Sequence, residues 1–353
     1  MKNKVVEVPG INDPIKKAPG FAKKDLATHK LDLMALCGYG CRYCSSNSGN
    51  YLRINREPFA EAARAQLGLR VLPAEDPSLT IEWPDVLEKL ERQLATKAKT
   101  WGAGKVLVFS MLTDGFSPRL VEAGVTRRAL DMVMAKTSFR VRVLTKNAVV
   151  GSAPWIDYFS DHPGRFVVGL SVGSVDDAWA RKVELGTSPP SERLAAHARL
   201  QAAGVPTYGM LCPIFRSADL PELLRRIEPA ACETVWAEPY NDRENWRAVA
   251  DGYGSRAGDE RAWFEAVFGR GETWRWSTYA TDLLVDLRFW ARTGGWMPKL
   301  RYLLYEGLIT AEDAERIGPL DGVLLQDGKA DDGRSRHRAF REVGCGIVGE
   351  AAA

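Results

Sequence analysis

The chain has 353 residues, 45% of them hydrophobic and 26% charged, proportions that exclude collagen-like, coiled-coil and wholly disordered architectures. Its 48 Lys and Arg stand against 45 Asp and Glu for a net charge of +3, so the total charge points to no polyanionic partner. No run approaches the roughly 18 consecutive apolar residues of a membrane span, and MKNKVVEVPGINDP at the N-terminus lacks the apolar core of a signal peptide. A cytoplasmic protein with no membrane contact is expected.

Residues 1–30 carry seven Lys and three acidic residues and read as a basic, solubilising leader. Six apolar, β-branched runs then follow as strands: LDLMAL (31–36), VLVFSML (106–112), RVRVLT (140–145), FVVGLS (166–171), TYGMLC (207–212) and TVWAE (234–238). Helical periodicity separates them at 85–98, 125–136, 176–183, 191–203 and 219–228, with Ser191 as an N-cap after Pro189 and Pro190. Such alternation predicts an α/β fold built on a parallel sheet, a partial (βα)6 TIM-type barrel over 31–240. Residues 45–80 form a long polar insertion, the kind that covers a site or stays mobile. Past residue 240 the strand rhythm stops, and 241–353 reads as a helix-rich C-terminal extension. Counting Trp236, this end of the chain holds seven of the eleven tryptophans.

Three of the six cysteines, Cys37, Cys41 and Cys44, fall within the single stretch CGYGCRYC, while Cys212, Cys232 and Cys345 are scattered. A disulfide framework spreads its cysteines along a short chain, so this clustering points to metal chemistry. Three thiolates can hold three irons of a 4Fe-4S cube and leave the fourth open to another ligand. Gly38 and Gly40 let the backbone wrap closely around such a cluster. Structural zinc wants four ligands, and no second Cys or His pair stands nearby in sequence.

A CxxxCxxC motif with an aromatic residue before its third cysteine, placed after the first strand of a (βα)6 chain, resembles the radical S-adenosylmethionine enzymes. The resemblance implies that S-adenosyl-L-methionine chelates the open iron and that an electron from the cluster cleaves it to a 5'-deoxyadenosyl radical. It also implies an external electron donor such as flavodoxin or ferredoxin. MLTDGFSP (111–118), VLTKN (143–147), VGLSVGSVDDAWARKVELG (168–186), LQAAGVPTYGMLCPIF (200–215) and AEPYN (237–241) look more narrowly like the spore photoproduct lyase group and its DNA repair photolyase-like relatives. That likeness implies a lyase acting on a nucleic acid lesion or a nucleoside-like compound.

In parallel barrels the chemistry gathers at the C-terminal ends of the strands. Thr113 and Asp114 follow the second strand, where the wider family binds the methionyl ammonium; Asp114 is also suited to capping the turn at Gly115. By the same resemblance Lys146 and Ser171 contact the cofactor's carboxylate, a cation and a hydroxyl both favouring an anion. Glu184, Glu238 and Asn241 offer hydrogen-bonding groups near strand ends, although Glu184 could instead pair with Arg181 on a helix surface. The lyases use a cysteine just before the second-strand aspartate to return a hydrogen atom to the product. Aligning on Asp114 puts Met111 there, a thioether without an S–H bond. Activity on the thymine spore photoproduct itself is therefore not expected, and Cys212, ending the fifth strand, is the substitute catalytic donor. Finally, 274–305 interleaves aromatic residues with Arg275, Arg288, Arg292, Lys299 and Arg301, a pattern suited to gripping nucleobases and phosphates or to packing on the core. Two other readings stay open: a radical enzyme acting on a small metabolite or natural-product precursor, and a non-enzymatic iron-sulfur sensor or zinc-binding protein.

Overall fold

The runs VLVF at 106–109 and FVVGL at 166–170 have almost no exposed residue, and strands hidden on both faces belong to a parallel sheet covered on each side. The computed structural model describes residues 4–22, 24–44, 49–71, 76, 79–110, 112–241, 245–253, 258–319, 323–329 and 335–339. Its strands are β1 (Lys4–Glu7), β2 (Ile15–Lys17), β3 (His29–Leu31), β4 (Met34–Leu36), β5 (Leu79–Glu82), β6 (Val106–Phe109), β7 (Arg140–Thr145), β8 (Phe166–Leu170), β9 (Gly209–Ile214), β10 (Val235–Pro239), β11 (Leu300–Tyr305), β12 (Val323–Lys329) and β13 (Ser335–Ala339). β3, β6, β7 and β8 run parallel in that order, with β2 antiparallel outside β3. β9, β10, β11 and β12 form a second parallel row ended by antiparallel β13. Two isolated parallel bridges, Val168 to Thr207 and Ser171 to Met210, join the rows. Pro206 and Pro213 sit along this seam without amide hydrogens to give it.

The fold is thus mixed α/β with parallel sheets, and the pairings among the described residues close no barrel. Three expectations are corrected. The run 31–36 is two strands: the buried Asp32, paired with Lys30 at 3.0 Å, interrupts the apolar sequence, and β4 leaves to join β5 and β1 in a separate three-stranded sheet. The strand rhythm does not stop at 240, because β11 and β12 extend the second row, so 241–353 is not simply helical. The basic leader is not a free tail either. It supplies edge strands β1 and β2, and its Leu26 is buried in the same cluster as Val167, Trp236 and Tyr302. Within the polar insertion, the helix Gly49–Leu67 packs Phe59, Ala60 and Ala63 against Val6, Leu36 and Ile81.

The helices cover the sheet through apolar stripes. Leu220, Leu223, Leu224 and Ile227 of the helix Leu220–Ile227 are buried, while Glu222 and Arg225 pair on its outer face, the i, i+3, i+4, i+7 spacing of an amphipathic helix. Five helices lie within one to three residues of their sequence-predicted bounds: Val86–Ala95, Val125–Lys136, Asp177–Val183, Pro190–Ala202 and Leu220–Ile227.

The seam between the rows is tight. A Cβ on Gly173 would overlap the carbonyl oxygen of Pro213, and backbone cannot swing aside as a side chain can. Gly173→Ala should therefore lower stability by about 2–3 kcal/mol in chemical or thermal unfolding. Gly20→Ala, whose added methyl meets open space, should change it by no more than about 0.5 kcal/mol.

Candidate functional site

The cysteine loop leaves β4 at Leu36 and is held by a second segment of chain. Arg42 N–H donates to the carbonyl of Val183 at 2.8 Å and Gly186 N–H to that of Tyr39 at 2.8 Å, while Cys41 and Glu184 form an antiparallel bridge. Gly40 makes the turn with φ +57°, a conformation glycine adopts without penalty. Gly186 allows the close approach: a Cβ there would lie 3.0 Å from the Gly38 carbonyl oxygen and the Tyr39 Cα.

Behind the loop stands a buried ion pair. Arg193, fully buried on the helix Pro190–Ala202, donates to the Glu184 carboxylate and to the carbonyl of Ser171. The Tyr43 hydroxyl donates to the same carboxylate, and Lys146 Nζ lies 3.9 Å from it. Burial alone would raise the Glu184 carboxyl, but Arg193, Lys146 and Tyr43 together hold it below its ordinary value. The alternative pairing with Arg181 does not occur: the Arg181 Nε donates to the carbonyl of Asp177.

In front of the loop lies a cavity of about 320 Å³. Its lining includes Cys37 and Cys44 from the loop, Thr113, Asp114, Lys146 and Ser171, and Cys212, Glu238 and Asn241. The structure thus brings the residues singled out at the strand ends to one place. Cys41 and Glu184 are not part of the lining. Lys146 Nζ donates to Ser171 Oγ at 2.6 Å, and Ser171 Oγ donates to the carbonyl of Cys212 at 2.9 Å. Asp114 is heavily used by the chain itself: it accepts from Phe116 N–H at 2.8 Å, Lys146 N–H at 2.7 Å and the Thr145 hydroxyl at 2.8 Å. Burial raises its carboxyl above the ordinary value against the pull of these donors. The Cys212 thiol donates to Glu238 Oε2 at 3.3 Å, and the Tyr305 hydroxyl donates to Oε1 at 2.6 Å. Burial first, and Glu238 second, push the Cys212 thiol well above its usual range. Met111 lies outside the described residues.

The three loop thiols are free, with no disulfide between them. Cys37 keeps some exposed surface, yet the chain packed around it pushes its thiol up to about 12, with Cys44 and Asp114 adding to the effect. Cys41 is raised by burial and by Glu184, with Lys146 opposing. Cations at the loop would be needed to hold these groups as thiolates. Among the described residues, no three His, Cys, Asp or Glu side chains converge as a single-ion site requires; a cube spreads its thiolates over separate irons. The buried hydroxyls of Ser110 and Thr113 line the same cavity and have no partner among the described residues. Both are open to the polar atoms of a bound molecule. Cys232 is remote from the loop and packs beside His197 at 3.7 Å, and Cys345 lies outside the described residues.

The Arg-rich aromatic stretch 274–305 is core in part, with Trp274, Phe289 and Trp290 exposed. Trp276 is buried and donates to the Tyr240 carbonyl at 2.8 Å; Arg288, 4% exposed, donates to the carbonyls of Ile317 and Pro319. Arg275 pairs with Glu272, Lys299 with the carbonyl of Ala230, and Arg301 with that of Pro298. These four cations are engaged by the chain itself, while Arg292 is exposed. Arg193, Ser110 and Tyr305 were not singled out from sequence, whereas Tyr43 is the aromatic residue before the third cysteine of the motif. Arg193 had a signal: it shares the buried helix face with Leu194, His197 and Leu200, and an arginine in such a row must have a buried partner.

No protein-family profile matches the chain, and no curated protein does. Among solved structures, a spore photoproduct lyase mutant with bound AdoMet and dinucleoside spore photoproduct aligns at 18% identity and TM-score 0.43, over 71% of this chain and 66% of its own. Spore photoproduct lyase complexed with the dinucleoside aligns at 18% and 0.44, over 72% and 67%. Streptococcus suis SuiB bound to S-adenosylmethionine aligns at 8% and 0.33, over 62% and 41%. The chain spans just under two thirds of the length of the first of these.

The ion pair behind the loop gives a direct test. Arg193→Leu leaves a buried carboxylate uncompensated and should cost about 3–5 kcal/mol in unfolding at neutral pH, whereas adding Glu184→Leu should restore most of the loss. The Glu184 carboxyl is depressed in the folded chain, so the pair's contribution is present above the unfolded carboxylate pKa and is lost as pH falls through the folded one. The gap between wild type and Arg193→Leu should accordingly shrink below roughly pH 4.

Proposed function

We propose that the chain is a radical S-adenosylmethionine enzyme whose Cys37, Cys41 and Cys44 ligate a 4Fe-4S cluster at the wall of the 320 Å³ cavity. The observation that carries this reading is that Cys37 and Cys44 line one cavity with Lys146, Ser171 and the hydroxyls of Ser110 and Thr113, which have no partner among the described residues. When bound, the cluster would supply the electron that cleaves S-adenosylmethionine to a 5'-deoxyadenosyl radical. Lys146 and Ser171, held 2.6 Å apart, present a cation and a hydroxyl suited to the cofactor's carboxylate. Asp114 serves by position: its bond to the Lys146 amide fixes the start of the segment that carries the lysine. Glu238 and Asn241 suit ribose or substrate hydroxyls.

Cys212 is the hydrogen donor in this reading. Its thiol lines the cavity, and burial and Glu238 keep it protonated, the state in which an S–H bond is available. The partial (βα)6 barrel belongs to this reading as an architecture that gathers strand ends at one site. Reduction of the cluster needs an external one-electron donor of the flavodoxin or ferredoxin type. For the substrate we favour a small aromatic or nucleoside-like molecule over a nucleic acid strand, because four of the five cations of 274–305 bond to the chain itself.

Iron analysis and anaerobic absorption test the cluster. Cys41→Ala should lose most bound iron and Cys232→Ala none; full iron in the first variant defeats the assignment. Lys146→Ala should retain iron and bind S-adenosylmethionine about tenfold to a hundredfold more weakly in calorimetry, the loss of one charge-assisted hydrogen bond. Cys212→Ala should still form 5'-deoxyadenosine while yield of reduced product falls, and an unchanged yield would remove Cys212 from the mechanism.

A further inference from the structure

A second cavity of about 650 Å³ shares Tyr240 with the cysteine-lined one. Its wall is aromatic and is assembled from separate parts of the chain. Trp179 comes from the helix Asp177–Val183, Phe215 follows β9, Tyr240 follows β10, Trp263 lies on the helix Gly258–Phe264 and Tyr279 on the helix Thr273–Thr293. Neighbouring rings support one another: Phe215 stacks on Tyr240 at 5.0 Å and 24°, Trp179 meets Phe215 at 4.9 Å, and Trp263 stands edge-on to Tyr279 at 5.2 Å. Trp179, Tyr240 and Phe264 belong to a buried aromatic cluster, while Phe215, Trp263 and Tyr279 are only partly buried and border a void within the size range of small-molecule sites.

The charged residues along this lining are Asp176, Lys182, Arg216 and Glu260. Three are already engaged. Asp176 caps its helix by accepting from the amides of Ala178 and Trp179 at 2.9 and 3.0 Å. Arg216 lies between Asp219 at 3.4 Å and Glu260 at 3.8 Å. Lys182 is exposed and has no ion pair among the described residues. Flat faces within and one available cation at the edge select a planar ring with a single negative charge.

We infer that this cavity is the binding chamber for a small planar aromatic anion, its ring against Trp263 and its charge at Lys182. That the ligand is the enzyme's substrate rests on the proposed function; that it binds does not. A nucleic acid strand is disfavoured because it would need a series of free cations along a groove, and among the described lining residues Lys182 alone is a cation without an ion pair.

Calorimetric titration of the purified protein, iron content measured on the same samples, tests the inference with indole-3-acetate and uridine 5'-monophosphate as aromatic anions and indole and uridine as their uncharged counterparts. At least one anion should bind, its neutral counterpart about fivefold or more weakly. Lys182→Glu, a surface change that spares the core, should remove that preference and leave neutral binding intact. Trp263→Leu should weaken both, with circular dichroism confirming that it folds. Failure of both anions to bind, or binding unaffected by both substitutions, overturns the chamber. Tight, salt-sensitive binding of a single-stranded oligouridylate without binding of the monophosphate overturns it too. Loss of ligand binding in iron-replete protein would refute the chamber alone, whereas ligand binding in a wild-type protein that cannot hold iron would refute the proposed function alone.

Discussion

The geometry of the site depends on one buried ion pair. Arg193 contributes nothing to the cavity lining, yet its guanidinium binds the Glu184 side chain and the Ser171 backbone, and Glu184 is bridged by backbone to Cys41 and by side chain to Tyr43. Two charges removed from water in this way gain little net stability over a hydrophobic substitute, but they are costly to separate. Their value here is positional. A loop rich in glycine has many conformations, and pairing it with a segment that is itself fixed by a charge leaves the thiols few places to go.

A second constraint acts at the strand ends. Asp114 accepts from Lys146, Phe116 and Thr145, tying the turn after β6 to the turn after β7. Lys146 then reaches Ser171 past β8, and Ser171 reaches the carbonyl of Cys212 in β9. Successive strands are therefore linked by hydrogen bonds at the rim as well as along the ladder. This matters most between β8 and β9, where the ladder is reduced to bridges and the seam would otherwise be a place for the sheet to open.

What could be read from the sequence was what local pattern encodes. The doubly buried strands and the five crossover helices were visible because apolar spacing distinguishes period 2 from period 3.6. The convergence of Lys146, Ser171, Cys212 and Glu238 was visible because parallel strands deliver their C-terminal ends to one side. The misses have equally physical causes. Asp32 ends a strand in the middle of an apolar run because Lys30 compensates it, a pairing no window of hydrophobicity reports. LRYLLY at 300–305 is embedded among arginines and aromatic residues that suggest a helix or a polyanion surface, and only its neighbours β10 and β12 show it to be a buried strand. The helix Gly49–Leu67 was hidden because its buried residues are small, chiefly Ala60 and Ala63 around Phe59, so its apolar face is weak on any hydropathy count.

The two cavities suggest why the C-terminal third of the chain is built as it is. Tyr240 lines both; its amide accepts no choice of position, since it donates to the Tyr279 hydroxyl at 2.9 Å, and its carbonyl receives the Trp276 indole at 2.8 Å. Both partners lie on the helix Thr273–Thr293. The aromatic residues that look in sequence like a surface for nucleobases therefore serve first to fix the ring that separates one chamber from the other. Tyr305, from β11, does the same for the opposite wall by holding Glu238 against Cys212. A change in this third of the chain, even one remote from every cysteine, should act on the partition between the cavities before it acts on the loop, because the loop is anchored separately through Glu184 and Arg193.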